Sequence, residues 1–315
     1  MKSYLTIILA CLGLSILPAR AWNNFGHMEV AAVAWKQLTP QARKEAVRLL
    51  NINPQHKTWI KGVAAAQRNQ VLFVMAATWP DQIKSLKGFK TDGTQNGDVA
   101  PKTPQASQNI GYKDHFRHKY WHFIDQPFST DGTALIQPLA PNAQTQIAAF
   151  RKTLPDTTVS DRIRSYDLAW LLHLIGDVHQ PLHATSRFNQ AEPKGDAGGN
   201  RVKISCSSPC GGANELHAFW DDLLGDRDAP PADAIAAADA LPAADAAQVA
   251  VTDEKDWINE SFEIAKKSVY DSPVGNSDGP FPLTAAYQKD AVTIARNRVA
   301  LAGARLAKLL NDSFK

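Results

Sequence analysis

The 315-residue chain is poor in cysteine and methionine, with three of each, and neither sign of charge is in large excess. Lys and Arg number 34 and Asp and Glu 31, which gives a formal net charge of +3. A protein so close to neutral does not coat a polyanion by bulk charge, so any binding of phosphates must be local. Since 44% of the residues are hydrophobic, the chain can bury a sizeable core.

Long apolar runs are absent except at the start of the chain. There, Lys2 precedes the apolar stretch 5–17, and a small-x-small motif ends at Ala21. Residues 1–21 therefore predict a signal peptide cleaved between Ala21 and Trp22, with the mature protein secreted or periplasmic. The apolar stretch is too short to span a bilayer, so no membrane span is expected. Cleavage removes two basic residues and no acid, which lowers the formal charge from +3 to +1.

The cysteines reduce to a single pair after cleavage, because Cys11 leaves with the signal peptide. Cys206 and Cys210 remain, in the sequence CSSPC. In an exported protein such a pair predicts a disulfide. A metal-binding pair is the alternative, although no second cysteine pair or nearby histidine completes a zinc-ribbon pattern. A lipoprotein cut before Cys11 is also an alternative, but Leu9-Ala10 matches that signal poorly.

Apolar residues recur at helical spacing along most of the chain, and neither a strand-turn-strand rhythm nor a repeat is visible. The pattern predicts one all-α domain over residues 22–315. Polar stretches rich in Gly and Pro predict loops at 86–114 and 186–214, and Asp228–Ala250 is interpreted as surface helix and linker. The predicted helices are Asn24–Leu38, Pro40–Leu50, Gly62–Ala77, Asn142–Leu154, Ser160–Val178, Glu215–Leu224, Trp257–Tyr270 and Leu283–Leu310.

Two apolar helices each carry a histidine and an aspartate four residues apart. His173 and Asp177 lie in HLIGDVHQPLH, and His217 and Asp221 lie in HAFWD. This spacing places both side chains on one helix face, and imidazole and carboxylate are both zinc ligands. A buried hydrogen bond is the simpler interpretation of one such pair, but two pairs favour a zinc site. His183 follows a proline turn and is placed to join it.

Further candidates lie in aromatic settings and at the mature N terminus. The motif WPD ends a predicted helix with Asp81, and YWHF sets His122 among three rings. Either residue on its own is more often structural. His27 lies five residues after Trp22, whose free α-amine has a reference pKa near 8 and so binds a metal at modest cost. Because only cleavage creates this amine, the precursor is expected to lack part of the site.

These motifs resemble those of a known family. WNNFGH, WPD, YWHF, HLIGDVHQPLH, GGN and ELHAFWD follow one another as in the zinc-dependent single-strand nucleases and 3′-nucleotidases, the type I nucleases of fungi, plants and bacteria. The resemblance implies a mainly helical fold of the phospholipase C and zinc nuclease type, with a trinuclear zinc site in a cleft. It also implies single-stranded DNA, RNA and 3′-nucleotides as substrates and 5′-phosphorylated products. A monomer is expected, although the sequence does not reveal the oligomeric state.

Carried over by position, the resemblance implies a ligand set for each of three Zn²⁺ ions, with one aspartate shared by two of them. His179 is not a ligand in this pattern, and a hydrogen bond to the ligand shell is expected for it. The expected ligands are Asp81, His122, His173 and Asp177 for one ion, Trp22 through its amine and carbonyl, His27 and Asp177 for the second, and His183, His217 and Asp221 for the third.

Five side chains are expected to act on the substrate. Zinc lowers the pKa of water, and Asp81 is expected to orient the attacking water. Lys84 stands where relatives commonly have arginine. Lysine keeps a positive charge facing the phosphate but lacks the fork geometry of arginine. Phe123 is expected to stack a nucleobase and Asp125 to meet a base edge, with core packing as the alternative for Phe123. Asn200, in GGN, is expected to bind substrate or to hold the backbone near it.

Two other functions stay open. Zinc-dependent phospholipases C place the first histidine further from an N-terminal tryptophan and end the ligand set with glutamate, whereas here the gap is five residues and Asp221 ends the set. A non-catalytic exported zinc-binding protein needs no substrate cleft, and the aromatic Phe123 beside a ligand argues against it.

Overall fold

The computed structural model describes residues 22–206, 210, 212–277 and 279–315, and over these residues the chain is mainly helical. This confirms the predicted all-α class. The predicted signal peptide lies outside the described residues. The helices are α1 (Asn24–Gln37), α2 (Pro40–Leu50), α3 (His56–Trp59), α4 (Arg68–Ala76), α5 (Trp79–Gln82), α6 (Ala143–Thr153), α7 (Asp161–Asp177), α8 (Leu216–Asp221), α9 (Pro231–Ala237), α10 (Ala246–Ala250), α11 (Glu254–Ile264) and α12 (Ala285–Ser313).

Local signals explain where helices begin. The hydroxyl of Thr39 accepts a hydrogen bond from the backbone N–H of Ala42 at 3.1 Å, and Pro40 occupies the first turn of α2. The helix predicted over 62–77 is shorter in the structure, because Gly62 adopts a φ of 78° that a helix cannot contain. Ala64 then has a ψ of 140°, and Ala65–Gln67 form a 3₁₀ turn, so the regular α-helix starts only at Arg68.

Four strands of three residues each, within the described part of the chain, were not predicted. β1 (Pro127–Ser129) pairs in parallel with β2 (Ser186–Phe188), and β3 (Ile204–Cys206) pairs in parallel with β4 (Phe281–Leu283). Three residues are too few to show an alternating pattern in the sequence. The β1–β2 pair joins two segments that each follow a candidate histidine, so it helps to bring those histidines together.

Helix α7 lies at the centre of the fold, with residues 164–177 all buried. Because every side of this helix is covered, its titratable groups must find partners or ions inside the protein. Helix α1 packs against α7 and α12. A Cβ atom at Gly176 of α7 would lie 2.9 Å from Nδ1 of His27, so a glycine is needed there for the two helices to approach.

The predicted disulfide between Cys206 and Cys210 is present. The predicted loops at 86–114 and 186–214 contain short 3₁₀ turns and isolated bridges in the described residues, together with β2 and β3. Within the part of the chain that the structure describes, no helix combines the length and apolar character that a bilayer crossing requires.

Candidate metal centre

Eight histidine and aspartate side chains from four helices and two 3₁₀ segments converge in one buried region. All eight have at most about a twentieth of their surface exposed. They are His27 on α1, Asp81 on α5, His122 after the turn Lys119–Trp121, His173 and Asp177 on α7, His183 in the turn Pro181–Ala184, and His217 and Asp221 on α8.

Asp177 lies between three histidines. Its Oδ2 atom is 3.1 Å from Nδ1 of His122 and 3.3 Å from Nε2 of His173, while its Oδ1 atom is 3.3 Å from Nε2 of His27. The rings of His27 and His173 stack at 3.7 Å. The two carboxylate oxygens therefore face different ligand groups, an arrangement suited to an aspartate shared by two ions.

Asp81 faces the same region from α5. Its Oδ1 atom is 3.7 Å from Nε2 of His173 and 3.9 Å from Nδ1 of His122. The ammonium of Lys84, one turn later and nearly fully buried, is 2.6 Å from the same oxygen. Lys84 is therefore the positive charge nearest to Asp81, and it lies beside the candidate ligands.

His183, His217 and Asp221 form a second group. The Nε2 atoms of the two histidines are 3.2 Å apart. They lie 3.9 Å and 3.4 Å, respectively, from the carboxylate oxygens of Asp221. The candidate ligand atoms of this group, like those of His27, Asp81 and His173 and of His122, His173 and Asp177, all lie within 4.8 Å of one another.

Three of the histidines are fixed in the same orientation by backbone carbonyls. In each ring Nδ1 donates a hydrogen bond outward, so the lone pair of Nε2 points into the cluster, which is the tautomer that a metal requires. The acceptors are the carbonyl of Ala77 for His173 at 2.7 Å, of His122 for His183 at 2.8 Å, and of Gly198 for His217 at 2.6 Å.

The GGN loop supplies one of these carbonyls. Gly198 adopts a φ of +62°, and a Cβ atom there would lie 2.5 Å from the carbonyl oxygen of Leu182. The side-chain amide of Asn200 donates to the carbonyl of Ala197 at 2.7 Å and so closes the same turn. This contact supports the backbone-holding role for Asn200 more than direct contact with a substrate.

The donor atoms of the cluster fit a cation. Nδ1 of His27 and Oδ2 of Asp81 have no hydrogen-bond partner, although both are buried. Nε2 of His27 and Oδ1 of Asp177 are also buried, and although they lie 3.3 Å apart, neither makes a hydrogen bond. Buried polar atoms without partners are costly, and imidazole and carboxylate are the ligands that zinc prefers. A divalent metal would satisfy the atoms that the protein leaves unpaired.

The ionisation of these groups follows from burial in the metal-free protein. Burial lowers the pKa of His27 and of His173 to about 4, in each case against a nearby aspartate, so both imidazoles are neutral at pH 7. Burial raises the pKa of Asp177 to about 8, although His173 opposes the shift. Burial also disfavours the ionised form of Asp81, but Lys84 and His173 outweigh it and hold that pKa below its usual range. A metal ion would have to displace the proton of Asp177.

Trp22 and its neighbour lie beside the second group. The Trp22 side chain is fully buried, and the backbone N–H of Asn23 donates to the carbonyl of Asp221 at 3.1 Å. The first described residue is therefore held next to a candidate ligand.

Phe123 and Asp125 follow His122 directly. Phe123 is half-buried and packs against the main core cluster. Burial, with help from Asp196 and Asp98, raises the pKa of Asp125 to about 7. At neutral pH this carboxyl group can therefore either donate or accept a hydrogen bond.

His179 differs from the expectation. Its Nδ1 atom donates to the carbonyl of Ile175 at 2.7 Å, and its Nε2 atom accepts from Arg305 of α12 at 3.0 Å. The ring is directed toward α12, so its hydrogen bonds hold two helices together instead of orienting a ligand.

Gln180 was not singled out in the sequence. Its amide nitrogen donates to Asp221 at 2.7 Å, and its amide oxygen accepts from the backbone N–H of Leu182 at 2.6 Å. Glutamine is not a usual zinc ligand, so the only available signal was its position between two histidines in VHQPLH.

Residues 22–315 match the model of the S1/P1 nuclease family. The chain belongs to this family. The match confirms the resemblance seen in the motifs, and it covers every candidate ligand.

Individual members of the S1/P1 nuclease family are distant from this chain. Nuclease P1 of Penicillium citrinum and nuclease PA3 of Penicillium sp are each 22% identical over 203 residues, which are 64% of this chain and 58% of either protein. Endonuclease 5 of Arabidopsis thaliana is 27% identical over 151 residues, 47% of this chain and 42% of that protein. The chain thus spans between two fifths and three fifths of the length of these relatives.

Proposed function

We propose that this chain is an exported, zinc-dependent endonuclease that hydrolyses single-stranded DNA and RNA to 5′-phosphorylated products and also acts as a 3′-nucleotidase. The observation that carries the proposal is the convergence of three buried His/Asp groups, with unpaired donor atoms, in a chain of the S1/P1 nuclease family. The printed names of the relatives, nucleases and an endonuclease, support the same reaction class.

Three zinc ions are part of the proposal. Asp177 would serve two of them, since each of its oxygens faces a different histidine group. Following the family resemblance, the proposed ligands are Asp81, His122, His173 and Asp177 for one ion, Trp22, His27 and Asp177 for the second, and His183, His217 and Asp221 for the third. His27 lies within reach of Asp81 and His173 as well as of Asp177.

Zinc, when bound, would lower the pKa of water and offset the negative charge of the phosphodiester. The protein groups have separate tasks. Asp81 stays ionised at neutral pH because Lys84 and His173 lower its pKa, so it can accept a hydrogen bond from the attacking water and orient it. Lys84, held by Asp81 at 2.6 Å, would act as a point charge on the phosphate.

Phe123 and Asp125 would recognise a base. An unpaired base can stack on the ring of Phe123, whereas a base inside a duplex cannot, so this contact favours single strands. Asp125 would meet the base edge, and its pKa of about 7 allows it to face either a donor or an acceptor. Asn200 would act through the turn it closes beside His217.

Removal of residues 1–21 would complete the centre by exposing the α-amine of Trp22. The position of Trp22 supports this step, since the next residue is hydrogen-bonded to the backbone of Asp221. Zinc content measured on the processed chain and on a precursor with an uncleavable signal would test it. We expect the precursor to bind at least one ion fewer, and equal zinc content would refute the role of the amine.

The activity is tested by assaying the processed, zinc-loaded protein on matched single-stranded DNA, RNA and duplex DNA, and on 3′-AMP. We expect cleavage of the single strands and dephosphorylation of 3′-AMP, loss of both with a chelator, and recovery when zinc is returned. End-labelling should find a 5′-phosphate on the fragment downstream of each cut and a 3′-hydroxyl on the fragment upstream. A zinc-loaded protein that leaves all these substrates intact would refute the proposal, and hydrolysis of phosphatidylcholine alone would favour a phospholipase.

A further inference from the structure

A second buried group of one histidine and two aspartates lies outside the candidate metal centre. His118 is fully buried, and its ring lies between two carboxylates. Nδ1 is 2.6 Å from Oδ2 of Asp92, and Nε2 is 3.0 Å from Oδ2 of Asp114. Because the two nitrogens point in opposite directions, the carboxylates cannot share one cation with the ring, so this group is not a metal site. We call Asp92, His118 and Asp114 the ion triad.

The geometry determines the charge of the ring. A neutral imidazole has one nitrogen that can only accept a hydrogen bond, and a carboxylate can only accept as well. Here both nitrogens face carboxylates. The hydroxyl of Tyr120 also lies 3.0 Å from Nδ1, but its proton is donated to Asp92, so its oxygen is left as a further acceptor. A neutral ring would therefore set a lone pair against a negative oxygen. A doubly protonated imidazolium donates to both carboxylates and removes this conflict.

The remaining carboxylate lone pairs also receive donors. For Asp114 these are the backbone N–H of Phe116 at 2.9 Å and the side-chain amide of Gln108 at 3.2 Å. For Asp92 they are the backbone N–H of His118 at 3.0 Å and the hydroxyl of Tyr120. Both acids thus act as hydrogen-bond acceptors, and a doubly protonated ring gives each of them one more donor, which a neutral ring could do for only one of them.

The charged ring also lies against an aromatic face. The rings of His118 and Trp121 are stacked at 3.7 Å, with an angle of 8° between their planes. Stacking of a cation on an indole is favourable, most of all when both are shielded from water.

The titratable groups around His118 agree with this assignment. Burial alone would lower the pKa of His118, but the hydrogen bonds that its ring donates to Asp114 and Asp92 outweigh burial and raise that pKa. Burial and the charge of Asp92 raise the pKa of Tyr120, so its hydroxyl stays a donor. Tyr166 of α7 is also kept neutral, because burial and the charge of Asp114 raise its pKa.

The ion triad is coupled to a candidate ligand through a single turn. His118 has a φ of 41°, and its carbonyl accepts from the N–H of Trp121 at 2.8 Å. His122 follows immediately. Trp121 in turn packs against Trp170 of α7 at 4.9 Å between ring centres, and the ring of His122 contacts the same indole at 5.4 Å. The orientation of His122 therefore depends on where the ion triad holds this turn.

We propose that His118 is a permanent imidazolium bound between Asp92 and Asp114, and that this ion triad positions the His122 imidazole for zinc. The second half rests on the proposed function, because it takes His122 as a zinc ligand; the first half does not. In this role His118 is a positioning residue, since it touches neither substrate nor metal.

The charge state is tested by NMR on the wild-type protein with ¹⁵N-labelled histidine at pH 7.5, where an ordinary histidine is about nine-tenths neutral. We expect one histidine with both ring nitrogens protonated, and its signal should vanish in His118→Gln and persist in His115→Gln. His115 is a matched control, since it lies three residues earlier and is exposed. A neutral His118 ring at this pH would refute the first half.

The positioning role is tested by zinc titration of the same two variants at a temperature where circular dichroism shows each to be folded. We expect His118→Gln to bind zinc about 10- to 100-fold more weakly, as for losses of groups that orient metal ligands. His115→Gln should match the wild type. If the wild type itself binds no zinc, the proposed metal centre fails while the NMR result still stands.

A double variant separates positioning from stability. The variant that combines Asp92→Asn with His118→Gln removes one of the two carboxylates that the single change leaves without a cation. Most of the stability lost in His118→Gln should therefore return. If His118→Gln does not fold, the zinc titration uses this double variant in its place. We expect its zinc affinity to stay low, because the two contacts of the His118 ring with Asp92 and Asp114, which hold the turn, are still missing. Recovery of zinc affinity together with stability would refute the positioning role.

Discussion

Two buried groups of histidine and aspartate lie at opposite ends of one short turn, and they balance their charges in opposite ways. In the ion triad at His118 each ring nitrogen donates to its own carboxylate, and the protein supplies every proton that is needed. Around His122, lone pairs and carboxylate oxygens converge on each other, and several have no partner. Similar residues at similar depth thus form the ion triad, whose ring nitrogens all have partners within the protein, in one place and a ligand set with unpartnered atoms in the other.

The difference lies in which atoms face inward. A carbonyl behind His173 or His217 fixes the proton on the outer nitrogen, so the inner nitrogen can only accept. His118 has carboxylates on both sides, so both of its nitrogens donate. Burial and composition do not distinguish a metal site from an ion triad, whereas the direction of the lone pairs does.

Removal of zinc should produce the largest effect and should separate the two groups. At a free zinc concentration a thousand times the Kd, each of the three proposed ions would contribute about 4 kcal/mol, so their loss should abolish activity and lower Tm by more than about 20 °C. Calorimetry with and without a chelator measures this. The doubly protonated signal of His118 should persist in the metal-free protein wherever it is folded, and an unchanged Tm would contradict the zinc assignment.

Asp177→Asn tests the open group alone. It removes the carboxylate shared by two groups, so we expect lower zinc content and a loss of activity on the order of a thousandfold or more. Asp167→Asn is the matched control, because Asp167 is also a buried carboxylate of α7 but is hydrogen-bonded to Asn109 and Thr153. Elemental analysis and kcat/KM measure both variants. Normal turnover in Asp177→Asn would contradict the bridging role.

Asp167 itself represents a third case, a buried carboxylate with hydrogen bonds but neither a cation nor a metal. Burial raises its pKa to about 7, although Thr153 and Asn109 oppose the shift. Its folded pKa is above the unfolded value, so its contribution to stability is complete below about pH 4 and is lost as the pH rises through 7.

Between pH 4 and pH 8, the stability of Asp167→Asn should therefore rise relative to that of the wild type by about 4 kcal/mol. Urea unfolding of both zinc-loaded proteins across this range measures the difference. A difference that does not change with pH would show that Asp167 is not protonated in the folded protein.

Phe123→Ala should have the smallest of these effects. Loss of stacking on one base costs about 1–3 kcal/mol, so KM for single-stranded DNA should rise about tenfold while zinc content stays unchanged. Phe123→Leu preserves the packing but removes the aromatic face. If Phe123 only fills the core, Phe123→Leu should bind substrate normally, and that result would contradict the stacking role.

Much of the candidate site was readable in the sequence because its ligands lie on helices. His173 and Asp177, like His217 and Asp221, are four apart on an α-helix, where this spacing puts both side chains on one face. Asp114 and His118 have the same spacing in the reverse order, but they lie outside the helices, in a stretch where His118 adopts a left-handed conformation. No periodicity predicts that contact, so the ion triad was missed.

The sequence by itself determined the helical class, most helix positions and the set of residues able to bind zinc, since these depend on local spacing and residue chemistry. Only the tertiary structure decided which atoms face one another across segments far apart in the chain, such as His27 against Gly176 or Asp92 against His118. The direction of a lone pair depends on carbonyls and carboxylates brought in from other segments. For that reason it is the fold, and not the residue types, that distinguishes the candidate ligand set from the ion triad.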